Sequence, residues 1–231
     1  MSQNEKETRI SNIVSQLSLC AEHNVLIYDK CAREYDDLAE VFGFDVPRRI
    51  ADCCMKNLSL PKGTTVKSCT ALDVAAGTGI TAEALKKAGF TGAIDGFDGS
   101  SEMVKVAATK QIHRTIVQHL ALPNHPLPFA GKTYDVVVIG SAMNPGHVPH
   151  ECLHDFLDLL KPGGILLFNV SHLTTTDPDG QASGSVRRIL QDMSKEGKGE
   201  CILDEVNSLN LGLCCFIRLV VCWWSCYFIR I

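Results

Sequence analysis

The chain has 231 residues, 45% of them hydrophobic and 21% charged, with a formal net charge of −4 and an isoelectric point near 6.0. This is the composition of one globular domain large enough to bury a full core, and it excludes a disordered chain. Basic residues occur as isolated pairs such as Arg48-Arg49 and Arg187-Arg188, so the clustered charge that nucleic-acid binding needs is missing.

The opening, MSQNEKETRI, is polar and mixed in charge, unlike a secretory signal, and predicts a cytoplasmic or nuclear protein. Eleven cysteines fit that setting as reduced, mostly buried thiols. They form no CxxC pair, and the adjacent Cys53-Cys54 and Cys214-Cys215 suit neither zinc nor an ordinary disulfide.

Residues 1–60 read as an N-terminal helical segment, with two or three helices over 8–58. Tyr28, Cys31, Ala32, Tyr35, Leu38, Ala39 and Phe42 recur at three- and four-residue intervals, which is helical spacing. Pro61-Lys62-Gly63 closes the segment. From there to 208 strands and helices alternate. Strands are predicted at 69–74 (CTALDV), 93–98 (AIDGFD), 115–120 (TIVQHL), 134–140 (YDVVVIG) and 165–170 (ILLFNV). Helices are predicted at 80–88, stopped by Gly89, at 100–110, capped by Ser100, and at about 150–160. Lys161-Pro162-Gly163-Gly164 reads as a turn. Such alternation implies an α/β fold with a doubly wound, mostly parallel sheet, whose ligands bind outside the carboxyl ends of the strands.

The glycine loop after the first strand, Leu72 to Leu85, is LDVAAGTGITAEAL. Gly77-Thr78-Gly79-Ile80-Thr81-Ala82 fits the dinucleotide fingerprint G-x-G-x-x-A, with Asp98 about twenty residues on as a ribose-binding acid. Asp73, at the strand end, points elsewhere. A pyrophosphate would be repelled by it, whereas a ligand carrying an ammonium and a sulfonium would be attracted.

The segments DVAAGTG, GFDGS with Met103, YDVVVIG and LKPGGILLF together resemble the motifs of Rossmann-like (class I) S-adenosylmethionine-dependent methyltransferases, in the right order over about 28–172. More narrowly, YDKCAREYD, GFDGSSEMVKVA, QHLAL and VIGSAMNPGHVP are similar to the branch that includes the methyltransferase-like protein of the Williams–Beuren syndrome chromosomal region. The resemblance implies S-adenosylmethionine as cofactor. On it, Asp73, Ala75, Gly77 and Gly79 form the loop around the methionine moiety, and Asp98 accepts the ribose hydroxyls. Gly99, Met103, His119 and Leu120 border the adenine, and Gly140 and Ser141 lie near the sulfonium. Tyr28 and Tyr35 belong to a helix that closes over the cofactor and offers aromatic faces to a cation.

Three places depart from the pattern. Ala75 stands where glycine is commoner, and would be strained only if its φ were positive. Cys31 replaces an aromatic expected between the tyrosines, which would loosen the closing helix. The run from Leu209 to Ile231 is apolar almost throughout, where a closing strand would alternate. A membrane anchor is marginal, because Arg218 offsets its apolar residues. The favoured expectation is that the natural closing strand has been replaced, with part of the run pairing at the sheet edge.

Methyl transfer needs only that acceptor and methyl be held in line and close, so no general base is required by the motifs. His147 is a candidate base, although an exposed loop histidine is the expected reading. Asn144-Pro145-Gly146 lacks the second proline and the aromatic needed to stack a nucleobase. His150 and His154 share a helical face without a third metal ligand, and Glu83, Lys86 and Lys87 read as a solvated face. A small-molecule acceptor is expected first, a protein side chain second, and no metal or nucleic acid. A non-catalytic S-adenosylmethionine-binding protein and a NAD-dependent oxidoreductase remain the alternatives.

Overall fold

The computed structural model describes residues 2–41, 43–60, 62–171, 181–195, 200–206 and 214–220. Four helices precede the sheet: α1 (Gln3–Gln16), α2 (Ala21–Cys31), α3 (Tyr35–Val41) and α4 (Val46–Asn57). Then come β1 (Thr70–Val74), α5 (Ile80–Lys87), β2 (Ala93–Asp98), α6 (Ser101–Thr109), β3 (Thr115–Gln118) and β4 (Tyr134–Ile139). The order continues through α7 (Leu153–Asp158), β5 (Leu160–Ser171), α8 (Gln181–Lys195), β6 (Glu200–Val206) and β7 (Cys214–Val220). The strands form one sheet in the order β3-β2-β1-β4-β5-β7-β6. The first five named are mutually parallel, and β7 runs antiparallel to both β5 and β6.

Alternation along each parallel strand sends side chains to two cores. Leu72, Val74, Val137, Ile139, Leu166 and Phe168 pack on one face with Leu153, Phe156, Val186 and Leu190 of α7 and α8. Ala71, Ile94, Val136, Val138, Ile165 and Leu167 pack on the other with Ile50, Cys54, Ala82 and Leu85 of α4 and α5. Because both faces are covered, these strands read as continuous apolar runs, the pattern of buried parallel sheets.

The expected doubly wound sheet is present, with local corrections. The N-terminal segment holds four helices, and the first starts at Gln3. Its start is a reciprocal cap, Ser2 N–H donating to Glu5 at 2.6 Å and Glu5 N–H to the Ser2 hydroxyl at 3.4 Å, in a stretch too polar to show a strong apolar stripe. Gly89 stops α5 as expected: at φ 104 it allows Gly89 N–H to reach Lys86 O and Phe90 N–H to reach Leu85 O. Ser100 caps α6, accepting Met103 N–H at 3.1 Å. The expected turn at Lys161–Gly164 lies inside β5 as an irregularity, since the register passes from Tyr134↔Leu160 directly to Val136↔Ile165; Gly163 has the positive φ the turn required.

The tail expectation also changes. Residues 214–220 pair on both sides, with β5 and β6, so they lie inside the sheet and β6 forms the edge. Residues 207–213 and 221–231 lie outside the described residues, as do those calls on the tail that fall there. Among the described residues, no helix is long and apolar enough to cross a membrane.

Asp95 of β2 anchors this architecture from inside. It is 3% exposed, takes the Tyr134 hydroxyl at 2.9 Å and Arg114 Nε at 2.9 Å, and is paired with Arg114 Nη2 as well. Asp95→Ala leaves the buried Tyr134 hydroxyl without its acceptor and Arg114 without its pair. A loss of about 3 kcal/mol is expected, at the low end for a broken buried pair because Arg114 stays half exposed. Denaturant unfolding checks this, and a loss below about 1 kcal/mol would contradict it.

Candidate functional site

The chain leaves β1 through a loop that alternates into positive φ at Ala75 (51°), Gly77 (56°) and Gly79 (85°). The negative-φ alternative for Ala75 therefore does not hold, and its methyl sits in a conformation that costs an L-residue about 1–2 kcal/mol. The loop is held from the next strand. Gly77 N–H donates to Asp98 Oδ2 at 2.8 Å, and Ser100 N–H donates to Asp98 Oδ1 at 2.8 Å. Burial pushes the Asp98 carboxyl up to about 6, against the lowering effect of those two N–H groups.

Over the carboxyl ends of β1, β2 and β4 opens a pocket with a mostly apolar lining and a few polar groups, the pattern of small-molecule sites. Eleven of the residues singled out from sequence line it together: Tyr28, Tyr35, Ala75, Gly77, Asp98, Gly99, Met103, His119, Leu120, Gly140 and Ser141. Asp73 and Gly79 do not. Asp73 faces the interior, its Oδ2 3.4 Å from His113 Nε2, each side chain 1% exposed. Burial raises the Asp73 carboxyl, opposed by the His113 contact. Gly79 makes room for that ring, since a Cβ there would stand 3.1 Å from His113 Cε1. The carboxylate expected to meet a cationic ligand has a histidine under the loop beside Oδ2, and its buried Oδ1 is without a partner.

At the end of β4, a Cβ on Gly140 would come 2.5 Å from Thr81 Oγ1. Ser141, at φ 57, is fixed by donating its N–H to Asn169 Oδ1 at 2.7 Å. The Tyr28 and Tyr35 rings meet edge to face at 6.2 Å. Burial raises both phenols, that of Tyr35 to about 12 and that of Tyr28 well above its ordinary value. Cys31 is 1% exposed and packs with Ile13, Ile27 and Met103, so the smaller side chain leaves a closed cluster rather than a loosened helix.

His147 is not the exposed loop histidine expected. It lines the cavity, 2.8 Å from the Tyr28 hydroxyl, and burial lowers its basicity. Glu83 and Lys86 are not merely solvated either. Glu83 receives Lys110 Nζ at 3.2 Å, and Lys86 donates to the Gly92 carbonyl beside the Phe90 ring.

Sequence reasoning missed the groups that hold the N-terminal helices down. Asn24, 2% exposed, donates to Gly146 O at 2.6 Å. Asp29 accepts the Ser100 hydroxyl at 2.6 Å, and Asp36 accepts that of Thr78 at 2.5 Å and pairs with Lys110. One signal was legible: Asn24 falls on the helical face of Ile27, Tyr28 and Cys31, where a polar residue demands a partner. Among the described residues no cluster of three or more His, Cys, Asp or Glu could hold a metal.

The site offers polar groups that suit a nucleoside. Asp98 reaches the cavity with acceptor capacity beyond its two N–H bonds, Gly77 has open space where a Cβ would stand, and His119 Nε2 is buried without a partner. Residues 19–179 match the model of the ubiE/COQ5 methyltransferase family. The chain belongs to that family. It is 33% identical over 60% of its length to the human methyltransferase-like protein 27, covering 54% of that protein. It is 32% identical over 66% of its length to the demethylmenaquinone methyltransferase of Bacillus licheniformis, covering 62% of it. The chain thus spans little more than half the length of these relatives. A chain of a Haloferax volcanii complex containing the Trm112 methyltransferase activator shares the fold at TM-score 0.60 and 16% identity, over 84% of this chain and 97% of that one. So does a SAM-dependent methyltransferase of Aquifex aeolicus at TM-score 0.51 and 19% identity, over 79% and 97%. Family and fold together imply S-adenosylmethionine as the cofactor.

Two outcomes are expected. Ala75→Gly relieves the positive φ and raises stability by about 1 kcal/mol, read as a higher Tm; an unchanged or lower Tm would show that the methyl packing outweighs the strain. Ribose hydroxyls donate to the ionised Asp98, so binding favours the deprotonated form and weakens as pH falls through about 6. Calorimetry of S-adenosylhomocysteine should show about tenfold weaker affinity at pH 5 than at pH 7, and a flat profile would contradict this.

Proposed function

We propose that this chain is a methyltransferase that moves a methyl group from S-adenosylmethionine to a small, largely apolar acceptor, with a protein side chain as the second class of acceptor. The observation that carries the reading is the cavity over the ends of β1, β2 and β4, with Asp98 in its wall and tied to both loops. When bound, S-adenosylmethionine supplies an electrophilic methyl on a sulfonium. The protein's part is to hold the acceptor about 3–3.5 Å from that methyl, in line and away from water. The N-terminal helices do this as a cover, tied to the rim through Asn24, Asp29 and Asp36.

An acceptor with an apolar body suits the lining contributed by Ala21, Val25, Phe44, Pro47 and Val148. The likeness to methyltransferase-like protein 27, together with the segments YDKCAREYD and VIGSAMNPGHVP, supports grouping the chain with that relative. Transfer of radiolabel from S-adenosylmethionine, screened over metabolite and protein fractions, tests the activity and sorts the acceptor. Label in the small-molecule fraction is the expected result. Label confined to protein would move the second class to first, and none in either would refute the enzyme. Asp98→Ala should weaken S-adenosylhomocysteine by about 3 kcal/mol at most and 1.5 at least, the range for hydrogen bonds to a charged group; an unchanged affinity by calorimetry would remove Asp98 from the site.

A further inference from the structure

Tyr28 and His147 come from different elements, α2 and the loop after β4, and their side chains meet in the cavity wall with Tyr28 Oη 2.8 Å from His147 Nε2. The other ring nitrogen, Nδ1, lies 3.3 Å from the Pro145 carbonyl oxygen. A carbonyl only accepts, so Nδ1 carries the proton. Nε2 of the neutral ring is then bare, and the Tyr28 hydroxyl must be the donor between the two. The tyrosine oxygen keeps a lone pair, in a side chain that already lines the cavity.

The contact is built rather than incidental. Asn24 Nδ2 donates to Gly146 O at 2.6 Å, His147 N–H to Asn144 O at 3.0 Å, and Val148 N–H to Ala142 O at 2.9 Å. Gly146 has φ 79, and a Cβ on it would stand 1.9 Å from Ser18 O. Only glycine lets the segment before α2 press against this loop and bring the tyrosine to the histidine.

We propose that Tyr28 and His147 together are the proton acceptor of the transfer, and that the acceptor molecule therefore brings its own proton, on oxygen, nitrogen or an acidified carbon. This rests on the methyltransferase reading above. The acceptor's X–H bond breaks, and its electron pair forms the new bond to the methyl carbon. The methyl–sulfur bond breaks with its pair left on sulfur. Tyr28 Oη takes the released proton as its own passes to His147 Nε2, and Pro145 O steadies the resulting imidazolium through Nδ1–H. Atoms and charge balance, because the sulfonium's positive charge ends on the imidazolium and then leaves to water as a proton.

Burial lowers the basicity of His147, with the Pro145 carbonyl opposing, so the ring is the neutral, receptive form at pH 7. The titratable groups that bear on Tyr28 are Tyr35 of α3, Cys31 of α2 and Asp98 of β2, all of which raise it and keep the phenol protonated as a donor.

Imidazole nitrogen NMR on the full chain with S-adenosylhomocysteine, combined with turnover of the acceptor found by the label screen, tests this. The expected spectrum has Nδ1 protonated and Nε2 bare, and Tyr28→Phe should raise the His147 pKa by removing the hydrogen bond that favours the neutral ring. His147→Asn should lower kcat by about 100-fold or more, the usual worth of a positioned proton acceptor. At saturating S-adenosylmethionine, where the Asp98 titration does not limit the rate, it should also abolish the fall in kcat at low pH, and at pH 7 leave S-adenosylhomocysteine affinity within about twofold of wild type. A merely structural histidine would instead lower Tm and affinity together and leave that pH limb in place. A proton found on Nε2, or kcat of His147→Asn within about twofold of wild type, would overturn the proposal. A wild-type chain that binds no S-adenosylhomocysteine would overturn the proposed function instead, and the tautomer in the free protein would still decide the pair.

Discussion

One carboxylate joins the two loops on which the site is built. Asp98 ends β2, and its two oxygens take Gly77 N–H from the loop after β1 and Ser100 N–H from the loop before α6. Together with Ala76 N–H to Phe97 O at 3.0 Å and Gly79 N–H to Ala76 O at 2.8 Å, those bonds fix a glycine loop that passes through three positive-φ residues, and they hold the backbone of the Ser100 cap of α6. The same bonds aim the carboxylate into the cavity. Its raised pKa follows from burial that two N–H donors do not fully offset. A bound diol would add donors to the ionised form, so the ligand completes a set of hydrogen bonds that the fold begins.

Beneath the loop, the sheet supplies a second support. His113 enters β3 and lays its ring between Gly79 and Gly96, where Cβ atoms would stand 3.1 and 3.0 Å from it. Asp73 faces that ring from the end of β1. The glycine at 79 is thus required twice: by its φ, and by the histidine it accommodates. The dinucleotide-like spacing of the loop has a packing cause here as well as a ligand one.

Much of this was legible in the sequence, for physical reasons. Continuous apolar runs with glycine or serine at their ends marked the parallel strands and the caps, because a strand covered on both faces can hold little else. Gly89 and Ser100 did what their chemistry dictates. The first turns of the helix at 3–16, ahead of the expected start at 8, were hidden because they rest on a cap and few apolar residues rather than on a full stripe. The tail was placed at the sheet edge because local pattern cannot show that residues 214–220 pair with β5 on one side and β6 on the other. The His113 neighbour of Asp73 could not be read, since it lies forty positions away and only the fold brings them together. Asn24 was missed, and His147, named as a candidate base, was expected to be exposed, for the same reason: each finds its partner about 120 residues distant. Local pattern gives the wall of the cavity; tertiary contacts decide which polar groups are free to face into it.

Where the nucleoside lies decides the role of Asp98. A crystal structure of the complex with S-adenosylhomocysteine is the most direct measurement. The account predicts both ribose hydroxyls within hydrogen-bonding distance of Asp98, the adenine beside Met103 and His119, and the sulfur toward Ser141. A ligand seated elsewhere, or with its ribose turned away from Asp98, would contradict it.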